Sequence, residues 1–150
     1  MTEVHFHVHG KPEPAGSKKA YVVNGRALVT DANPRAKSWK QEVVRAALEA
    51  TNVPINPVFH TGAVFLRMRF TLRRPKAHYR ADGSLRADAP EFHTLRPDAL
   101  KLARGTEDAL TGIVYRDDSQ TVVVSWKVYG EVEGVEVWAS PIPPIPAVLS

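Results

Sequence analysis

The sequence predicts a single α/β (α+β) domain in which a mixed β-sheet packs with two main helices. Three observations predict this class. The length of 150 residues suits one domain. Apolar and polar residues alternate in several segments, as in half-buried strands, and two other segments carry apolar residues at helical spacing. With 43% hydrophobic residues, a chain of this size can bury roughly 70% of its unfolded surface, so it can form a core without covalent staples.

The first third of the chain predicts a strand, a hairpin and a helix. Apolar residues alternate with histidines over residues 4–9, as in a strand with one buried face. A loop over residues 10–19 precedes a hairpin over residues 21–29, whose Asn24-Gly25 turn tolerates the positive φ values of a tight connection. Apolar residues at helical spacing over residues 36–50 predict the first helix.

The middle of the chain predicts a strand, a loop and a second helix. Residues 63–72 alternate between apolar and mainly basic positions, which indicates a strand with a basic outer face. Residues 73–90 show no periodicity and carry several cations, so we expect a flexible basic loop. Pro97 suits the first turn of a helix that runs to about Leu110 and that Gly112 ends.

The last part of the chain predicts two strands and a tail. Residues 120–129 alternate as a strand, and a turn leads into a final strand over residues 135–138. The proline-rich residues 141–150 predict a flexible tail. We therefore expect one folded domain over residues 1–140.

Composition limits the classes of function. The formal charge of +4 and the pI near 9.5 favour an anionic partner such as nucleic acid. The absence of Cys excludes disulfides, thiolate metal sites and Cys nucleophiles, and it fits a reducing cytoplasm. No apolar run approaches the roughly 18 residues of a membrane span, and the first residues lack the apolar stretch of a signal peptide. We therefore expect a cytoplasmic protein with no membrane partner.

Residues 93–120 contain the acidic residues best placed to bind a metal. Asp98 lies at the start of the second helix and Asp117-Asp118 after its end. The helix rises about 20 Å, and residues 111–118 can span about 26 Å, so the returning chain can bring Asp118 beside Asp98. Converging carboxylates are ligands that Mg²⁺ accepts, and such a metal polarises a phosphodiester and activates water. The alternative is that Asp98 only caps the helix and Asp117-Asp118 only form a turn.

Several short motifs occur in order between residues 3 and 130. They are Arg96-Pro97-Asp98, Asp108-Ala109-Leu110-Thr111-Gly112 and Asp117-Asp118-Ser119-Gln120 with Lys127 after them, preceded by residues 10–19, Trp39 and His78-Tyr79. Together they resemble the RusA-type Holliday junction resolvases, especially phage-encoded members such as those of actinobacterial phages. The resemblance implies a homodimeric, Mg²⁺-dependent endonuclease that cuts four-way junctions or other branched DNA. It also implies a phage or prophage protein that acts in the cytoplasm of the bacterial host.

The sequence departs from the family's pattern at one acidic position. The family typically reads Pro-Asp-x-Asp-Asn-x-x-Lys, whereas Leu100 stands at the second Asp and Arg104 at the Lys. Glu107 lies on the same helix face as Leu100, since residues seven apart differ by about 20°. It could supply the missing carboxylate, but it lies about 10 Å further along the helix, so it would have to meet Asp117 or Asp118 there. The alternative is a weakened site in a protein that binds junctions without cutting them well.

We expect catalysis to be retained, because three carboxylates of the pattern and a cation at Arg104 persist. The hypothesis is a Mg²⁺ ion, or Mn²⁺, bound by Asp98 and Asp118 with help from Asp117 and Glu107. Arg104 would stabilise the charge that develops on the phosphate. The cations expected to hold DNA phosphates are Lys18, Lys19, Arg73, Arg74, Lys76, Arg80, Lys101 and Lys127.

Overall fold

The computed structural model describes residues 3–15, 18–31, 33–51 and 57–142. These residues form one four-stranded mixed sheet, a separate two-stranded hairpin and two main helices, which confirms the predicted class. In chain order the elements are β1 (Val4–His9), β2 (Lys18–Val23), β3 (Arg26–Asp31), α1 (Arg35–Thr51), β4 (Val64–Arg73), α2 (Ala99–Leu110), β5 (Thr121–Gly130) and β6 (Gly134–Pro141).

The four-stranded sheet has the order β1-β6-β4-β5. β6 runs antiparallel to both β1 and β4, whereas β4 and β5 are parallel and are joined through α2. Gly134 begins β6 and pairs with His9 at the end of β1. A Cβ atom at Gly134 would lie 2.1 Å from the carbonyl oxygen of Val8, and its φ is +155°. Only glycine therefore fits this close approach without moving β1.

The core lies between one face of the sheet and the two helices. Trp39 of α1 donates a hydrogen bond from Nε1 to Oγ1 of the buried Thr106 of α2 at 3.3 Å, which links the helices. Alternate residues of β1 and β4 are buried, which confirms the predicted alternation. The buried sheet residues on this face are Val4, Phe6, Val8, Val64, Leu66, Met68, Phe70, Leu72, Val135, Val137 and Ala139.

β5 is an edge strand whose alternating apolar residues face away from the helices. Its register with β4 places Val122, Val124 and Trp126 beside Phe65, Arg67 and Arg69, on the opposite face from the core. Val122 is 51% exposed and Val124 is 45% exposed. The alternation thus predicts the strand correctly, while these valines remain largely outside the core.

The predicted hairpin and first helix are confirmed. Asn24 and Gly25 adopt φ values of 51° and 76° in the tight turn between β2 and β3. The first helix was predicted over residues 36–50 and extends one residue further at each end. Residues 143–150, most of the predicted tail, lie outside the described residues. No helix in the described ranges is both long enough and apolar enough to cross a membrane.

The predicted basic loop after β4 has local structure. Residues 74–90 contain a short helical turn and fold back so that Tyr79 and Leu85 form a β-bridge. The backbone N–H of Arg86 donates to the carbonyl of His78 at 2.9 Å in this small hairpin.

Candidate active-site groove

A groove runs along the exposed side of α2. It consists of two cavities of about 340 and 380 Å³ that share Lys101. The first cavity lies at the N-terminus of α2, and the second lies further along the helix beside β5. We call the pair the α2 groove. Its lining residues are Pro14, Arg96, Pro97, Asp98 and Lys101 in the first cavity and Leu100, Lys101, Ala103, Arg104, Glu107 and Val123 in the second.

A loop packs closely on α2 beside the first cavity. The backbone N–H of Ala15 donates to the carbonyl of Lys101 at 3.1 Å. The helix has glycine at the contact, where a Cβ on Gly105 would lie 3.4 Å from the nitrogen of Ala15. This close approach brings Pro14 to the wall of the cavity beside Asp98.

Asp98 occupies the N-cap position of α2, but its carboxylate does not cap the helix. Its backbone is extended, with φ −68° and ψ 140°, and its side chain accepts no hydrogen bond from the helix N–H groups. Its carbonyl accepts the N–H of Leu102 at 3.1 Å. The alternative in which Asp98 serves only as a helix cap is therefore wrong, and its carboxylate lines the cavity with Arg96 and Lys101.

Lys127 of β5 lies behind the segment that leads to Asp98. Its Nζ donates to the carbonyls of Leu95 and Pro97, both at 2.6 Å, and lies 3.2 Å from Nδ1 of His93. Partial burial lowers the pKa of Lys127, while the carboxylate of Asp98 acts in the opposite direction. Burial and the charge of Lys127 lower the pKa of His93.

Glu107 forms the acidic part of the groove at the other end of α2. Oγ1 of Thr121 lies 2.6 Å from Oε2 of Glu107 and 2.8 Å from the carbonyl oxygen of Asp118, and a single hydroxyl donates to only one of them at a time. Burial raises the pKa of Glu107, and the charges of Asp118 and Asp108 add to this rise, while the bond from Thr121 opposes it.

Asp117 is used in a local turn. Its Oδ1 accepts the N–H of Ser119 at 2.9 Å, and Oε1 of Gln120 accepts the N–H of Asp117 at 2.9 Å. The bonds from Ser119 hold the pKa of Asp117 below its usual range. A hydrogen bond with Asp117 raises the pKa of the neighbouring Asp118, and burial and the charge of Asp117 add to the rise. The turn interpretation thus holds for Asp117, whose carboxylate and N–H are both used within the turn.

The structure separates Asp98 from Asp118 within the chain. α2 runs antiparallel to β5, because Asp98 neighbours Lys127 whereas Glu107 neighbours Thr121. The nine residues from Asp98 to Glu107 rise about 13 Å. The expectation that the returning chain brings Asp118 beside Asp98 is therefore wrong.

The connection after α2 keeps Asp118 away from Asp98. The N–H of Gly112 donates to the carbonyl of Tyr115 at 2.7 Å, and Tyr115 forms a bridge with Phe59, so the chain turns at the end of the helix. Nε2 of Gln120 also donates to the carbonyls of Phe59 and Gly62 at 3.1 and 3.0 Å. The backbone carbonyl of Asp118 therefore lies at the Glu107 end of α2, where the hydroxyl of Thr121 is within hydrogen-bond distance of both residues. Among the described residues, no three His, Cys, Asp or Glu side chains are placed to hold one metal ion.

The predicted DNA-binding cations fall into two sets. Lys101 is exposed and lines the groove beside Arg104, the predicted catalytic cation, and Lys76 and Arg80 are exposed in the loop after β4. The other set makes contacts within the protein. Arg74 donates to the carbonyl of Pro90 at 2.7 Å and lies over the ring of Tyr129, and Arg73 lies 3.9 Å from Glu133. The side chains of Lys18 and Lys19 lie outside the described residues.

Sequence reasoning missed three residues at this site. It assigned no role to Arg96, which lines the first cavity, to Thr121, which binds Glu107, or to His93, which contacts Lys127. The sequence could have indicated a role for Arg96 at this site, because Arg96 lies two residues before Asp98. Nothing in the sequence distinguishes Thr121 from other strand threonines.

The groove combines carboxylates and cations on an α+β domain, the set of side chains expected of an enzyme that acts on phosphodiesters. A family model described as endodeoxyribonuclease RusA matches residues 10–138, and the chain belongs to this family. Membership confirms the resemblance seen in the motifs and indicates an endonuclease of the kind that resolves Holliday junctions. The uncharacterised protein YqaN of Bacillus subtilis strain 168 is 29% identical over 142 residues, which are 91% of this chain and 95% of that protein.

Proposed function

We propose that this protein is a Mg²⁺-dependent, or Mn²⁺-dependent, endonuclease that cuts four-way junctions or other branched DNA as a homodimer. The observation that carries the proposal is the carboxylate of Asp98, which the helix does not use for capping and which shares a cavity with Arg96 and Lys101. The family match supports the reaction class. The resemblance to phage-encoded members further suggests a phage or prophage protein that acts in DNA recombination and repair in the bacterial cytoplasm.

The chain's own residues divide into phosphate-binding cations and metal-binding carboxylates. Arg96, Lys101 and Arg104 line the groove and would hold the backbone phosphates, with arginine able to bind two phosphate oxygens at once. The proposed metal ligands are Asp98, Asp118, Asp117 and Glu107. A bound divalent ion would supply polarisation of the phosphodiester and an activated water.

The proposed ligands do not fit a metal ion within one described subunit. A small divalent ion takes oxygen ligands at about 2.1 Å, whereas Asp98 and Glu107 lie about 13 Å apart along α2. One subunit therefore offers two partial sites, one at each end of its groove. Because of this separation, the proposed homodimer matters for the metal as well as for paired cutting of two strands.

Within the described part of the chain, the edge of β5 is unpaired over residues 121–126, and we propose this edge as the surface for the second copy. The segment before α2 covers only the C-terminal half of this edge, where His93 donates to Lys127 at 3.1 Å and Tyr129 donates to Glu91 at 2.9 Å. Over residues 121–126 the edge bears three exposed apolar side chains. An apolar, unpaired edge strand is a template for pairing with another chain. These side chains are Val122, Val123 and Val124, which are 51%, 38% and 45% exposed.

Antiparallel pairing of two β5 edges about a two-fold axis would join the partial sites. Since α2 lies beside β5 and runs in the opposite direction, the two α2 helices would also lie antiparallel across the axis. Asp98 of one subunit would then lie beside the partner's Glu107 and the partner's Asp118. Leu100, which is 80% exposed in the single chain, would be covered in the same interface.

Cleavage of a labelled four-way junction tests the proposed function. Purified protein is incubated with the junction and with a matched linear duplex, in Mg²⁺, in Mn²⁺ and in EDTA, with Asp118→Asn alongside. We expect metal-dependent nicking that is selective for the junction and absent in the variant. Normal activity of Asp118→Asn, or equal cutting of both substrates, would contradict the proposal.

A second candidate function is binding of branched DNA without efficient cutting. The observation that favours it is Leu100, an apolar side chain in the groove where the family's pattern has a carboxylate. The same assay distinguishes the two functions, because tight junction binding with no nicking in either metal supports the binding protein. In both cases the logarithm of affinity should fall linearly with the logarithm of salt concentration, because binding of the protein releases counterions from the DNA phosphates.

A further inference from the structure

The segment that places Asp98 is attached to β5 in two ways. Backbone hydrogen bonds join it to β5 at Glu91 and His93. After His93 the segment is held by a side chain instead. Nζ of Lys127 donates to the carbonyls of Leu95 and Pro97, both at 2.6 Å. The second of these carbonyls belongs to the residue immediately before Asp98.

The ammonium group of Lys127 has no donor left for DNA. A lysine ammonium has three N–H donors, and here two point to carbonyl oxygens and the third contacts Nδ1 of His93 at 3.2 Å. The neighbouring cation Lys101 differs in this respect, because it is exposed and lines both cavities of the α2 groove. Two lysines near the same carboxylate therefore have different surroundings.

We propose that Lys127 is a positioning residue that holds residues 93–98 in place so that Asp98 faces the α2 groove, and that it does not contact DNA. Hydrogen bonds from a charged donor to two carbonyls restrain a segment that otherwise could move away from β5. The effect on cleavage rests on the proposed nuclease function, whereas the restraint itself does not.

Two variants of Lys127 and one matched control test the proposal. Lys127→Met keeps the length of the side chain and removes all three donors. Lys127→Arg keeps the charge, but its planar guanidinium cannot direct three bonds to the same acceptors. The control, Lys101→Met, removes one positive charge from the exposed side of the same carboxylate. Each protein is measured by amide hydrogen exchange, by junction binding at several salt concentrations and by single-turnover cleavage.

We expect faster exchange of the amides of His93 and Leu102, which donate to the carbonyls of Lys127 and Asp98 at the two ends of this segment, in both Lys127 variants, and unchanged exchange in Lys101→Met. Cleavage by Lys127→Met should slow by about ten- to a hundredfold, since small displacements of a catalytic group cost that much, while junction affinity stays within about twofold. Lys101→Met should show the reverse pattern, with weaker binding and a salt dependence reduced by about one phosphate contact.

A phosphate-binding role for Lys127 predicts different results. Lys127→Met would then exchange like the wild type, bind the junction more weakly and lose about one unit of salt slope, and Lys127→Arg would restore binding. Those results would overturn the proposal. If neither the wild type nor any variant cuts DNA, the nuclease proposal fails, while the exchange and binding data still decide the role of Lys127. If Lys127→Met does not fold, Lys127→Arg carries the same test.

Discussion

The substitution Val124→Asp should separate the proposed homodimer into monomers. Val124 lies near the middle of the free edge of β5 and is 45% exposed. Because nearly half of this side chain is already in water, the single chain should tolerate aspartate with a loss of about 1 kcal/mol or less in the free energy of unfolding. The change therefore acts mainly on pairing between subunits.

The expected loss follows from the exposure of this valine. Covering the exposed half of a valine stabilises a dimer by about 1 kcal/mol, and placing a carboxylate in the same contact costs at least about 1 kcal/mol more in desolvation and like-charge repulsion. A two-fold axis counts each term twice, which gives about 4 kcal/mol. The dissociation constant of the dimer should then rise about a thousandfold.

Sedimentation velocity over a range of protein concentrations measures this change. The matched control is Val132→Asp, because Val132 is 59% exposed in the turn between β5 and β6 and lies outside the proposed interface. We expect a dimer for the wild type and the control and a monomer for Val124→Asp at the same concentration. The reasoning is refuted if Val124→Asp remains dimeric, or if the control dissociates equally.

Three further predictions concern the groove and the fold. Leu100→Asp restores a carboxylate at an exposed position and should lower the Mg²⁺ concentration for half-maximal cleavage about tenfold, whereas Leu48→Asp, at an exposed leucine of α1 away from the groove, should leave it unchanged. Tyr115→Phe removes a buried hydroxyl that donates to a carbonyl of α2 and should cost about 1–3 kcal/mol in urea unfolding. Partial burial and the nearby His9 lower the pKa of His7 from 6.5. As pH falls, His7 is therefore protonated in the unfolded chain before it is protonated in the folded protein. The free energy of unfolding should rise as pH increases towards 7, and His7→Gln should reduce that rise.

The sequence predicts the helices and strands well because their apolar residues repeat regularly. The first helix was predicted over residues 36–50 and observed as Arg35–Thr51, and both Asn24 and Gly25 adopt the expected positive φ. Periodicity does not say which face of a strand the protein covers. For this reason the alternating valines of β5 predicted a strand. They did not predict that this strand lies at the sheet edge with these side chains exposed.

The sequence predicted many residues of the candidate site, but it did not predict how they are arranged in space. Chain length gave only an upper limit on the reach of residues 111–118, whereas hydrogen bonds at Gly112 and Gln120 keep this segment at the end of α2. Charge alone suggested that Lys127 binds DNA. Its three acceptors come from residues 30 to 34 positions earlier in the chain, and no local pattern reveals such contacts.

Heterodimers of two inactive variants test the central claim most directly. Asp98→Asn and Asp118→Asn subunits are expressed together with different tags, and the mixed dimer is purified and assayed on a four-way junction. If each metal site combines Asp98 of one subunit with Asp118 of the other, both homodimeric variants are inactive and the mixed dimer retains one intact site. We expect it to nick the junction at about half the wild-type rate, in Mg²⁺ and not in EDTA. A mixed dimer as inactive as its parents, or cleavage by either homodimeric variant, would contradict the account.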